Sequence, residues 1–89
     1  NTTGSYNVGV GTGALSLNTT GDNNTAFGWY AGTNNTTGSS NVAIGTGTLF
    51  NNTTISGLVA IGDSALFNNG DGADNSTDEG GFNTAIGTY

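Results

Sequence analysis

The apolar residues of this chain recur at a fixed interval. Asn7-Val8-Gly9-Val10-Gly11 is followed by Asn24-Thr25-Ala26-Phe27-Gly28, Asn41-Val42-Ala43-Ile44-Gly45 and Leu58-Val59-Ala60-Ile61-Gly62, each 17 residues after the last. A further copy, Asn83-Thr84-Ala85-Ile86-Gly87, comes 25 residues later, so 8 extra residues lie within 69–81. Numbered from the first residue of each copy, position 2 is always β-branched, position 3 is Gly or Ala, position 4 is Val, Phe or Ile, and position 5 is Gly. Alternation rich in β-branched residues predicts a short strand in every copy. Positions 2 and 4 then share one face and position 3 takes the other. The closing Gly predicts a turn with positive φ or a close backbone approach. A second short strand is predicted around position 9, which holds Leu15, Gly32, Leu49 and Leu66. Asn18-Thr19-Thr20-Gly21, Asn35-Thr36-Thr37-Gly38 and Asn52-Thr53-Thr54 supply the turn that completes the repeat.

A unit this short cannot bury its own apolar face, but stacked neighbours can. The pattern therefore predicts one all-β domain over 1–89, a β-solenoid (parallel β-roll). It would have about five 17-residue coils, starting at 7, 24, 41, 58 and 83, and one 8-residue loop insertion. The large column Val10, Phe27, Ile44, Ile61 and Ile86 is expected to form the core. It would face Leu15, Leu49 and Leu66, with the small residues of position 3 turned outward. Neither the first strand nor the last carries a charge or a Pro to blunt it. Val8, Val10, Thr84 and Ile86 are therefore expected to be assembly edges that pair copies head to tail.

Composition narrows the chemistry. The chain has no Lys, Arg, His, Cys, Met or Pro and a net charge of −6. Nothing neutralises phosphates, so nucleic acid is excluded as a partner. Zinc sites, thiol chemistry and a Ser–His triad are excluded with it, and an enzyme is not expected. No apolar run approaches the ~20 residues of a membrane span. Asp71, Asp74, Asp78 and Glu79 in the insertion are weak candidates for Ca²⁺ ligands. Their spacing fits neither an EF-hand nor a glycine–aspartate repeat, so they are read as a solvated loop with no cofactor.

Three other features carry possible functions. Sequons at Asn18, Asn35, Asn52 and Asn75 lie in stretches read as outer turns, where a glycan is tolerated. Thr19, Thr36 and Thr53 form one rank and Thr20, Thr37 and Thr54 another, which raises ice binding as a distant alternative. Adjacent residues of an extended segment point to opposite sides, so one rank alone is expected to face water. Trp29, Tyr30, Tyr6, Tyr89, Phe50, Phe67 and Phe82 include several outer positions. They are read as contacts with a neighbouring chain, with a sugar platform as the alternative.

The stretches NVAIGTGTLFNNTT and NTAFGWYAGTNNTTGSSNVAIG resemble the head repeats of trimeric autotransporter adhesins. They are also similar to Asn-Thr-Thr-Gly-rich arrays of bacterial surface proteins and phage tail fibres. The resemblance covers nearly the whole chain apart from the insertion. It implies a left-handed parallel β-roll, usually trimeric, whose outer surface binds host matrix. The expected function is that of a structural segment of an extracellular fibre, built by stacking of coils. The alternative is an adhesin head or tail-fibre module that recognises glycan or matrix. The expected partner is the chain itself, as a head-to-tail homopolymer or a homotrimer, with surface glycans or matrix as further partners. The expected location is extracellular, at a cell surface or in a virion fibre.

Overall fold

The computed structural model describes residues 1–69 and 82–88. It is an all-β solenoid with five short strands: β1 (Val8–Val10), β2 (Thr25–Phe27), β3 (Val42–Ile44), β4 (Val59–Ile61) and β5 (Thr84–Ile86). They form one parallel sheet in chain order. Val8 pairs with Thr25, Thr25 with Val42 and Val42 with Val59, so like positions of the repeat stack on one another. The register survives the insertion, because Val59 pairs with Thr84 and Ile61 with Ile86.

The Gly at position 5 ends each strand for two reasons. Its φ lies between 120° and 142° in all five copies, a region costly for any residue with a side chain. In addition, a Cβ on Gly28 would sit 2.5 Å from the Gly45 carbonyl oxygen of the next repeat.

The segment around position 9 is not the predicted second strand. Leu15, Leu49 and Leu66 adopt φ 51° and Gly32 adopts 59°, so the backbone curls through a left-handed turn. Leu buries its side chain from this unfavourable conformation, which costs it about 1 kcal/mol or more. The turn still stacks in register: Leu15 N–H donates to Ala31 O at 3.0 Å and Leu49 N–H to Ala65 O at 3.1 Å.

The inside and outside of the sheet are reversed relative to expectation. Ala26, Ala43 and Ala60 are buried, whereas Val10, Phe27, Ile44 and Ile86 are exposed and Ile61 is half-buried. Of the expected core, Leu15 and Leu49 are buried and Leu66 packs partly against them. The cause is the narrowness of the loop that one repeat makes. A Cβ on Gly9 would lie 3.2 Å from Ala14 O, and one on Gly32 would lie 3.9 Å from Ala26 Cβ. Between walls that close, only Gly and Ala fit at position 3, so the bulky residues must face out. The remaining apolar filling comes from Ile55 and Leu58.

The rest of the interior is amide. Asn18, Asn24, Asn35, Asn41 and Asn52 are all buried. Asn35 Nδ2 donates to Asn18 Oδ1 at 2.8 Å, and Asn52 Nδ2 donates to Asn35 Oδ1 at 3.0 Å. Each of these amides also closes its own turn, as Asn35 Nδ2 does on Gly38 O at 2.8 Å. A second ladder uses the backbone: Asn24 N–H donates to Asn7 Oδ1 and Asn41 N–H to Asn24 Oδ1, both at 2.9 Å. Leu58 replaces Asn at the next rung, and its N–H still donates to Asn41 Oδ1 at 3.0 Å. Each such bond adds about 1 kcal/mol net, and its loss would strand buried partners.

Candidate interaction surfaces

Strand parity and a narrow interior together leave a flat apolar face on the sheet. Val10, Phe27, Ile44, Ile61 and Ile86 stand in one column, and Val8, Thr25, Val42, Val59 and Thr84 in the other. Phe27 is 57% exposed, Val8 52% and Val10 45%. Neither column holds a charged residue. Neighbouring strands lie ~4.8 Å apart, so the side chains form a continuous stripe rather than scattered contacts. The expected edge residues Val8, Val10, Thr84 and Ile86 belong to β1 and β5, the outer strands of the described sheet.

The sequons expected in outer turns are mostly interior. Asn18, Asn35 and Asn52 are buried, and their amide nitrogens are engaged in the ladder, which leaves no room for a glycan. The missed signal was the column itself. Asn at the same position of every repeat, with Gly or Ile three residues on, is the spacing of a side chain that closes a turn and reaches the repeat below. Asn23, which opens another sequon, is exposed. Asn75 and the acidic candidates Asp71, Asp74, Asp78 and Glu79 lie outside the described residues.

The threonine ranks also differ from expectation. The segment bends instead of extending, so both ranks reach the surface: Thr20, Thr37 and Thr54 are exposed, as are Thr19 and Thr53, with Thr36 half-buried. The first rank has an internal role, since Thr19 Oγ1 donates to Thr36 O at 3.1 Å and Thr36 Oγ1 to Thr53 O at 3.0 Å.

Four aromatic rings gather past the Gly28 corner. Trp29 and Tyr30 meet edge-on with centroids 4.5 Å apart and planes at 89°. Tyr30 lies 6.2 Å from Phe50, and Phe50 stacks on Phe67 at 4.9 Å with planes 4° apart. Tyr30 holds φ 54° where the neighbouring repeats have Gly13 and Gly47, and its ring occupies the space above Gly13. Tyr30, Phe50 and Phe67 are half-buried, while Trp29 is 57% exposed. Tyr6 and Phe82 stand exposed elsewhere, and Tyr89 lies outside the described residues.

No helix among the described residues is long and apolar enough to cross a membrane. Compared with protein-family models, curated proteins and solved structures, the chain has no match.

Proposed function

We propose that this chain is a non-enzymatic structural segment of an extracellular fibre, made of 17-residue coils, about five in this stretch. Copies pack side by side through the flat sheet face, and pairing at the β1 and β5 strands prolongs the stack. The observation that supports this reading is the uncharged stripe of Val, Phe and Ile on the outside of the sheet. A water-facing sheet normally alternates apolar-in and polar-out. Here the outward positions are the bulkiest apolar ones, which is the composition of a surface awaiting another surface. A homotrimer of the adhesin-head type uses the same stripe with threefold closure. Sedimentation equilibrium and electron microscopy of the purified chain test the proposal. The parent should self-associate, and Ile44→Asp should stay folded and lose the side-by-side association, leaving end-to-end pairing alone. A parent that stays monomeric at high concentration overturns it.

The second reading, a module that recognises glycan or matrix, is favoured by one feature, the exposed Trp29.

A further inference from the structure

We infer that Trp29 is the platform of a binding site for a neutral carbohydrate. The site is built from position 6 of successive repeats. Tyr30 N–H donates to Thr12 O, Gly47 N–H to Trp29 O and Ser64 N–H to Thr46 O, each at 2.8 Å. These bonds stack Thr12, Trp29, Thr46 and Asp63 in one column at ~4.8 Å steps. All four side chains are exposed. An indole thus stands between two hydroxyls, with a carboxylate one step further along.

That composition differs from the sheet face. The sheet presents Val, Ile and Phe, with Thr25 and Thr84 and no charge, as a largely apolar partner requires. The Trp29 column alternates an aromatic ring with hydrogen-bonding groups, which matches a pyranose: apolar C–H groups on one side and hydroxyls around the rim. Thr12 and Thr46 can donate and accept, and Asp63 accepts. Ser64 Oγ donates to one oxygen of Asp63 at 3.2 Å, so the carboxylate keeps acceptor capacity for a sugar hydroxyl.

The ring is also held in place. Tyr30 abuts it at 4.5 Å and is itself backed by Phe50, which stacks on Phe67. Tyr30 bears a left-handed φ of 54° to stand there. A pre-positioned platform loses little rotamer freedom on binding.

Charge selects the sugar class. With no cation in the chain and a net charge of −6, sialylated, sulfated and uronic-acid glycans are repelled. Neutral hexose or N-acetylhexosamine oligomers are not. This site is independent of the assembly face, since it uses none of the residues at positions 2 and 4.

Trp29 is the single tryptophan of the chain, so its emission reports this site alone. The full chain and the Ile44→Asp variant are titrated with β-linked glucose, N-acetylglucosamine, mannose and galactose oligomers, and with sialyllactose and heparin oligosaccharides. The expected result is a saturable emission shift with at least one neutral oligomer and none with the anionic ones, the same in both proteins. Trp29→Ala, followed by calorimetry, should weaken binding at least about tenfold, as for a central aromatic anchor. Thr46→Val, which keeps the shape and the fold, should weaken it about threefold by loss of one hydrogen bond. No shift with any neutral oligomer overturns the inference. So does equal binding of the anionic glycans, or binding unchanged in both Trp29→Ala and Thr46→Val. An emission shift that follows protein concentration instead of sugar overturns it too, by showing that a second copy covers Trp29. Sugar binding that persists in Ile44→Asp, whose sheet face no longer associates, separates this site from the assembly reading.

Discussion

Exchanging the roles of two adjacent residues tests the architecture directly. Ala43 is 2% exposed and stacks on Ala26 and Ala60, both wholly buried; Ile44, next to it, is 38% exposed. Ala43→Leu pushes three more carbon atoms into the loop interior. A nearby void, lined by Ala43, Gly32 and Leu49, has about 10 Å³, room for one water molecule at most and not for three carbon atoms. Overpacking costs ~1–3 kcal/mol where the surroundings can yield. Here the walls are tied by backbone bonds on both sides, so a value near ~3 kcal/mol is expected. Ile44→Asp removes a partly exposed side chain and its stacking on Phe27 and Ile61, for about 1 kcal/mol. A domain of this size has ~4–13 kcal/mol of stability in all. Ala43→Leu should therefore melt about 10 °C below Ile44→Asp. Circular dichroism melts, at dilutions where both variants sediment as monomers, remove the contribution of assembly. If Ile44→Asp unfolds and Ala43→Leu melts with the parent, the inside and outside have been assigned the wrong way round.

The interior amides give a second prediction. Asn35 makes hydrogen bonds to Asn18, Gly38, Asn41 and Asn52, so Asn35→Ala should cost at least about 3 kcal/mol in urea melts. Asn51→Ala on the outer surface, which loses bonds to Asn34 and Asn68, should cost under ~0.5 kcal/mol. Position 5 offers an internal control. Gly28→Ala meets the Gly45 carbonyl at 2.5 Å, while a Cβ on Gly87 meets nothing within 4 Å. Both bear the φ penalty, but thermal melts should show Gly28→Ala as the far more damaging. Expressed in a glycosylating host, the folded protein should carry no glycan at Asn18, Asn35 or Asn52 by mass spectrometry, and Asn23 should be open to modification. Deleting Asp71 to Asp78 should leave the far-ultraviolet spectrum and cooperative melting intact. Asn83 Nδ2 already reaches Asn69 Oδ1 at 2.8 Å across the insertion, as Asn41 reaches Asn35 at 3.3 Å without one.

The interval of seventeen makes the parallel stack and its register legible in the sequence. It does so because in-register stacking requires each residue to meet its own kind one repeat on, and Asn, Gly and β-branched columns all tolerate that. The direction of the side chains was not legible from parity. Alternation states that positions 2 and 4 oppose position 3, and hydrophobicity then favours the larger residues as core. Size argues the reverse once the loop closes, because Ala14 O already stands 3.2 Å from where a Gly9 Cβ would be. The amides followed the same misreading. Asn-Thr-Thr reads as exposed turn chemistry, and the threonines are indeed at the surface, but Asn18, Asn35 and Asn52 turn inward because an interior too narrow for leucine at every level still has unpaired backbone carbonyls to satisfy. An amide supplies a donor for the carbonyl of its own turn and a donor–acceptor pair for the repeats on either side, which no apolar residue can do. The bulky apolar residues are then displaced to the outside of the sheet. The exposed stripe is the direct consequence of an amide-and-alanine interior, and it is the surface on which the proposed assembly rests.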